Sequence, residues 1–97
     1  MEHSAQDVYE MHAIVKGNVQ GVGFRAMTHY YATSMGITGT VRNLPDGTVE
    51  IYAHGSKKRL QDLMQRLYDE IGPAQIEESS IEYFPIDTPH EDFRIIH

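Results

Sequence analysis

From Tyr9 onward the residues alternate, with Tyr9, Met11, Ala13 and Val15 on one parity and Glu10, His12, Ile14 and Lys16 on the other. A period of two with one more apolar side predicts a strand laid against a core. The period then changes. Beyond Gly17-Asn18-Val19-Gln20-Gly21-Val22-Gly23, the residues Phe24, Thr28, Tyr31, Ala32 and Met35 recur at helical spacing, and Gly36 is suited to end the helix. Ile37 to Asn43 and Thr48 to His54 read as two strands joined at Leu44-Pro45-Asp46-Gly47, hence as a hairpin. Gly55-Ser56 then sets an N-cap serine before Leu60, Leu63, Met64, Leu67 and Ile71, a narrow apolar stripe that predicts a second helix closed by Gly72-Pro73. Ile76 to Phe84 alternates more weakly, carrying Ile81 and Tyr83 on one parity, and a loop over Pro85 to Asp92 leads to a short last strand, Phe93 to Ile96.

Strand, helix, strand, strand, helix, strand, with a short terminal strand added, is the order of an α+β ferredoxin-like split βαβ sandwich. It predicts an antiparallel sheet with both helices on one face. The 97 residues fit one domain, assigned to residues 9–97 and preceded by a polar, flexible extension over residues 1–8. That extension lacks the apolar core of a secretory leader, and no run reaches the ~20 apolar residues of a membrane span, so the expectation is a cytoplasmic protein with no membrane partner. The fold by itself names no chemistry, because enzymes, RNA binders and ligand sensors share it.

Charge and cysteine usage narrow the choices. Eight Lys+Arg against 14 Asp+Glu give a net charge of −6, which repels a polyanion over most of the surface and argues against a nucleic-acid partner. The signature of an RNA-recognition strand is missing too, since Thr48 to His54 offers only Tyr52 as an aromatic. With no cysteine in the chain, disulfides, thiolate metal sites and a cysteine nucleophile are excluded. The six histidines, at 3, 12, 29, 54, 90 and 97, show no paired ligand spacing on one element, so they are expected to be exposed, structural histidines, and no metal is expected. Lys57-Lys58-Arg59 opens a predicted helix, where cations oppose the dipole, and reads as a solvated face. Tyr30, Tyr31, Met27 and Met35 straddle the first helix as core and shoulder residues.

The stretch with most chemical content is Gly17, Asn18, Val19, Gln20, Gly21, Val22, Gly23, Phe24 and Arg25, which joins a strand to a helix. Its glycines allow backbone amides to approach a ligand closely, and the helix that follows leaves its first N–H groups unpaired with the positive end of its dipole at the same place. An anion is favoured there. Arg25 adds a permanent charge whose planar fork can grip two phosphate oxygens. The loop lacks the Gly-Lys-Ser/Thr ending of a Walker loop, and Ala26 stands where a dinucleotide fingerprint has its third glycine. The second constellation is Gly39 to Gly47, in which Asn43 carries a donor and an acceptor on one short side chain and can orient a water, although it is no base. An asparagine before Pro-Asp-Gly also suits plain turn chemistry.

Together these segments resemble the acylphosphatase family. The first family motif is matched at Gly17, Val19-Gln20-Gly21-Val22 and Phe24-Arg25, and the second at Gly39, Val41, Arg42, Asn43, Gly47, Val49 and Gly55. Thr40 departs, standing where an aromatic is usual. Gly72-Pro73 and Phe93-Arg94-Ile95 extend the likeness to roughly residues 9–97. The resemblance implies hydrolysis of acyl phosphates to a carboxylate and inorganic phosphate. In that reading the loop from Gly17 to Arg25 binds the phosphoryl group, Arg25 is catalytic, Asn43 positions the attacking water, and no metal or cofactor is used. The leaving group agrees with so small a set, because a carboxylate whose acid has a pKa of about 4 departs without protonation. A monomer is the simpler expectation for the assembly. The alternative is a non-catalytic sensor that binds phosphate or an acyl phosphate in the same loop and has no use for a positioned water.

Overall fold

Alternation over the first segment becomes β1 (Val8–Gly17), and the other periodic segments follow as α1 (Phe24–Ser34), β2 (Thr38–Asn43), β3 (Val49–Gly55), α2 (Lys57–Ile71), β4 (Ile76–Ile86) and β5 (Phe93–Ile96). The computed structural model describes residues 7–21, 23–72 and 75–97. Most of the segment assigned to the N-terminal extension, residues 1–6, lies outside them, as do Val22 of the loop and Pro73 after α2. Val8, placed in that extension by the sequence, is already paired with Ile86.

The strands form one sheet in the order β4-β1-β3-β2-β5. The four long strands pair antiparallel as expected, whereas β5 adds to β2 in parallel, with Gly39 opposite Phe93 and Val41 opposite Ile95. The sheet is therefore mixed. β4 also runs on through Pro85, where the sequence suggested a loop. An edge strand tolerates proline because one side of it needs no ladder hydrogen bonds, and β4 is at the edge.

One face of the sheet carries the core. Met11, Ala13 and Val15 of β1, Val41 of β2 and Val49, Ile51 and Ala53 of β3 are fully buried there against Phe24, Thr28 and Ala32 of α1 and Leu60, Leu63 and Leu67 of α2. The Thr28 hydroxyl is satisfied inside that layer by donating to the Phe24 carbonyl at 2.8 Å. One of the flanking expectations changes: Tyr30 is 64% exposed, so only Tyr31, Met27 and Met35 of that group pack against the core. The basic run at the start of α2 is a solvated face as expected, with Lys57, Lys58 and Arg59 all exposed, Lys57 over the rings of Tyr9 and Tyr83 and Lys58 meeting Asp62 one turn on.

The opposite face is polar yet partly buried. The Glu50 carboxylate accepts from Arg42 Nε and from His12 Nε2, each at 2.8 Å, while the His12 ring stacks on Tyr52. Burial pushes the Glu50 carboxyl up, but the hydrogen bonds from His12 and Arg42 outweigh it and hold it below its ordinary 4.5. His54 departs from the exposed role expected of the histidines, being only 6% exposed beneath the β4–β5 loop. Its Nδ1 accepts the backbone N–H of His90 at 2.9 Å, which fixes that loop to β3. Burial first, and then the neighbouring His90, push its pKa below the ordinary 6.5 despite the carboxylate of Glu10.

Both shifts make the fold acid-sensitive. Where the unfolded chain binds more protons than the folded one, stability falls as the pH is lowered. That is the case for His54 from about 6.5 downward, and for Glu50 from about 4.5 down through its depressed folded value. Urea unfolding between pH 8 and pH 3 is thus expected to show two successive losses. In His54→Asn, whose Oδ1 can still accept from His90, the first loss should shrink. A parent whose stability is level between pH 7.5 and 5.5 would contradict this account of His54.

Candidate active site

Segments distant in sequence meet at one end of the sheet. β1 ends at Gly17, where a Cβ would run into the carbonyl oxygen of Gln75, so only glycine lets the strand pass this close to the entry of β4. Asn18 N–H donates to that same carbonyl at 2.8 Å, and Val19 then turns into the core, 1% exposed. The loop closes on Gly23, whose left-handed φ of 81° suits glycine and forms the N-cap of α1.

The two helix starts differ in a way that matters. α2 is capped by Ser56, whose Oγ accepts the Arg59 N–H at 3.2 Å. α1 has no side-chain cap and no acidic residue in its first turn. Its leading amides are left for whatever occupies the space in front of them. That space is a cavity of about 280 Å³. One wall is the loop and first turn, with Val19, Gly21, Gly23, Phe24, Arg25 and Ala26; the other is Asn43 at the end of β2 with Ile95 and His97 at the end of β5.

Asn43 is placed by strand parity. Gly39, Val41 and Asn43 share the helix-facing side of β2, and Thr40 and Arg42 face the other way. Thr40 is consequently no part of the cavity wall, and its departure from the family pattern falls on the opposite face. The Asn43 Oδ1 is buried and has no hydrogen-bond partner among the described residues. The turn behind it is firmly closed: Leu44 N–H donates to the Thr48 carbonyl at 2.8 Å, and Asp46 Oδ1 accepts from the Thr48 hydroxyl at 2.6 Å and its N–H at 3.0 Å. Those bonds from Thr48 hold the Asp46 carboxyl below its usual range. Gln20 completes the brace by donating its amide to the carbonyls of Leu44 (2.9 Å) and Thr48 (2.8 Å).

Electrostatically the cavity belongs to Arg25. Arg42 is spent on Glu50 and Arg94 on Asp92, but among the described residues no carboxylate lies within ion-pair distance of Arg25. Its Nη1 instead lies 3.5 Å from Nδ1 of His97. A cation left unneutralised beside unpaired amides is a place for a small dianion, even on a chain of net charge −6. Among the described residues no group of three His, Asp or Glu is arranged to hold a metal ion, and no helix is long and apolar enough to cross a membrane.

Of the residues singled out in the sequence, Val19, Gly21, Gly23, Phe24, Arg25 and Asn43 line the cavity together. Gly17 and Asn18 do not, because their backbone is committed to the Gln75–Ile76 segment. Gln20 acts through its side chain on the hairpin rather than facing the cavity. Sequence reasoning missed Ile95 and His97 as wall residues. Their only signal is the parity shared with Phe93, and that acquires meaning only once β5 is paired with β2.

A family model described as acylphosphatase matches residues 11–95. A protein of Chlorobaculum tepidum named acylphosphatase is 41% identical over 88 residues, covering 89% of this chain and 94% of its own length. Among solved structures, an acylphosphatase from Bacillus subtilis superposes with a TM-score of 0.83 at 30% identity, covering 92% of this chain and 99% of that one. One from Coxiella burnetii superposes with a TM-score of 0.74 at 32% identity, over 99% and 100%.

Proposed function

The chain belongs to the acylphosphatase family, which hydrolyses acyl phosphates to a carboxylate and inorganic phosphate, and on that premise we propose the roles of its residues. Arg25 and the amides of residues 21–25 hold the phosphoryl group, and Asn43 orients the water that attacks it. The observation that carries this reading is that Asn43, whose buried Oδ1 has no partner among the described residues, lines the same cavity as the unneutralised Arg25.

The chemistry asks for little more. The water oxygen forms a bond to phosphorus as the bond from phosphorus to the carboxyl oxygen breaks, the carboxylate leaves with the electron pair, and both water protons end on the phosphate product. Because the leaving group is already a weak base, no general acid is needed. Charge spread over the phosphoryl oxygens meets the Arg25 guanidinium and the amides at the start of α1. The water accepts its orientation from the Asn43 carbonyl, whose backbone is held by the turn that Gln20 braces. The sensor alternative is not favoured: it leaves the buried Oδ1 without a task, and the relatives are named as acylphosphatases.

The same proposal keeps the partners few: a monomer in the cytoplasm, acting on a small acyl phosphate without a metal, cofactor, nucleic acid or membrane. Residues 8–97, from the start of β1, are the working domain. Phosphate release from a simple aromatic acyl phosphate, with a chelator present and a phosphomonoester as control, tests the reaction. We expect turnover of the first substrate, unchanged by chelator, and rates at least about 10³ lower on the second, whose alkoxide leaves badly. Equal rates on both would defeat the proposal.

A further inference from the structure

We infer that His97 is a positioning residue for Arg25, a neutral acceptor that aims the guanidinium without cancelling its charge; the inference rests on Arg25 being the phosphoryl ligand. Three observations converge. His97 lines the same cavity as Arg25 and Asn43. Its Nδ1 stands 3.5 Å from Arg25 Nη1, a long contact of the sort that tightens when a ligand draws the partners together. The parallel register that puts Val41 beside Ile95 and Arg42 beside Ile96 carries on to put His97 next to Asn43 on the same sheet face.

The choice of side chain follows from the task. An aspartate or glutamate at this place would fix the guanidinium more strongly, but it would also oppose the incoming dianion and return part of the field Arg25 supplies. A neutral imidazole takes up one N–H and leaves the rest of the fork, with its whole charge, for phosphoryl oxygens. With Nδ1 as acceptor, the ring proton resides on Nε2. β5 is flanked by α1 and β2. From α1 come Arg25 and, at the other end of the strand, His29, edge-on to Phe93. From β2, Arg42 turns to the opposite sheet face and pairs with Glu50.

The experiment compares parent, Arg25→Ala, His97→Ala and His97→Asn at pH 8, reading kcat, KM and inhibition by inorganic phosphate. Asn is the informative replacement because its Oδ1 occupies the place of Nδ1. At pH 8, His97→Ala should raise the phosphate inhibition constant and KM about 3–10-fold, the size of one modest hydrogen bond, and His97→Asn should recover most of the loss. Asn behaving as Ala would overturn the inference. If Arg25→Ala leaves phosphate inhibition unchanged, the underlying assignment fails. If that variant loses it and the His97 series is flat, only the positioning role fails.

Discussion

Arg25→Ala should abolish measurable turnover of an aromatic acyl phosphate, with kcat/KM lower by about 10³–10⁵, the range seen when a phosphoryl-transfer arginine is removed. It should also weaken inhibition by inorganic phosphate. Both effects come from one circumstance: Arg25 has no carboxylate partner among the described residues, so its field is directed at the ligand. The amides at the start of α1 remain in the variant and hold part of the anion affinity, which is why phosphate binding should drop by less than turnover. Arg25→Lys should recover little, since an ammonium cannot span two oxygens with fixed geometry. The side chain takes no part in the core, so unfolding by urea should be near parental. A variant that keeps near-parental activity would remove Arg25 from the mechanism.

Asn43→Ala separates catalysis from binding. Its kcat should fall by about 10²–10³, the usual cost of one well-aimed polar group at the reacting centre. The phosphate inhibition constant should stay within about 2-fold of the parent, because water rather than phosphate has lost its partner. The stability readout is unusual. Most truncations of a half-buried polar side chain destabilise, but here a buried oxygen without a protein partner disappears, so the thermal midpoint should be unchanged or slightly raised. Loss of phosphate binding in parallel with kcat would instead place Asn43 on the phosphoryl group, and the oriented water would have to be assigned elsewhere.

Much of this fold can be read along the chain because its periodicities are clean. The α2 stripe of Leu60, Leu63, Met64 and Leu67 and its Ser56 cap emerge where the spacing puts them, and so does the β2–β3 hairpin closed by Asp46 and Gly47. The departures share one cause, which is pairing between distant segments. Pro85 argues for a loop until β4 is known to be an edge strand, and His54 reads as an exposed histidine until the β4–β5 loop folds over it. Asn18 looks like a loop donor until the Gln75 carbonyl takes up its amide, and Gly17 until it pairs with Ile76 in the sheet.

The sequence by itself determined the element order, the family and the two residue types that the reaction needs, an arginine after a glycine-rich turn and an asparagine at a strand end. Those properties are local, set by spacing and backbone freedom within a few residues. Only the tertiary structure decided that Arg25 and Asn43 open into one cavity, that Gln20 braces the hairpin rather than facing the ligand, and that Ile95 and His97 supply the remaining wall. The reason is physical: β5 reaches the site through parallel pairing with β2, a contact between residues more than fifty positions apart that periodicity along the chain does not encode.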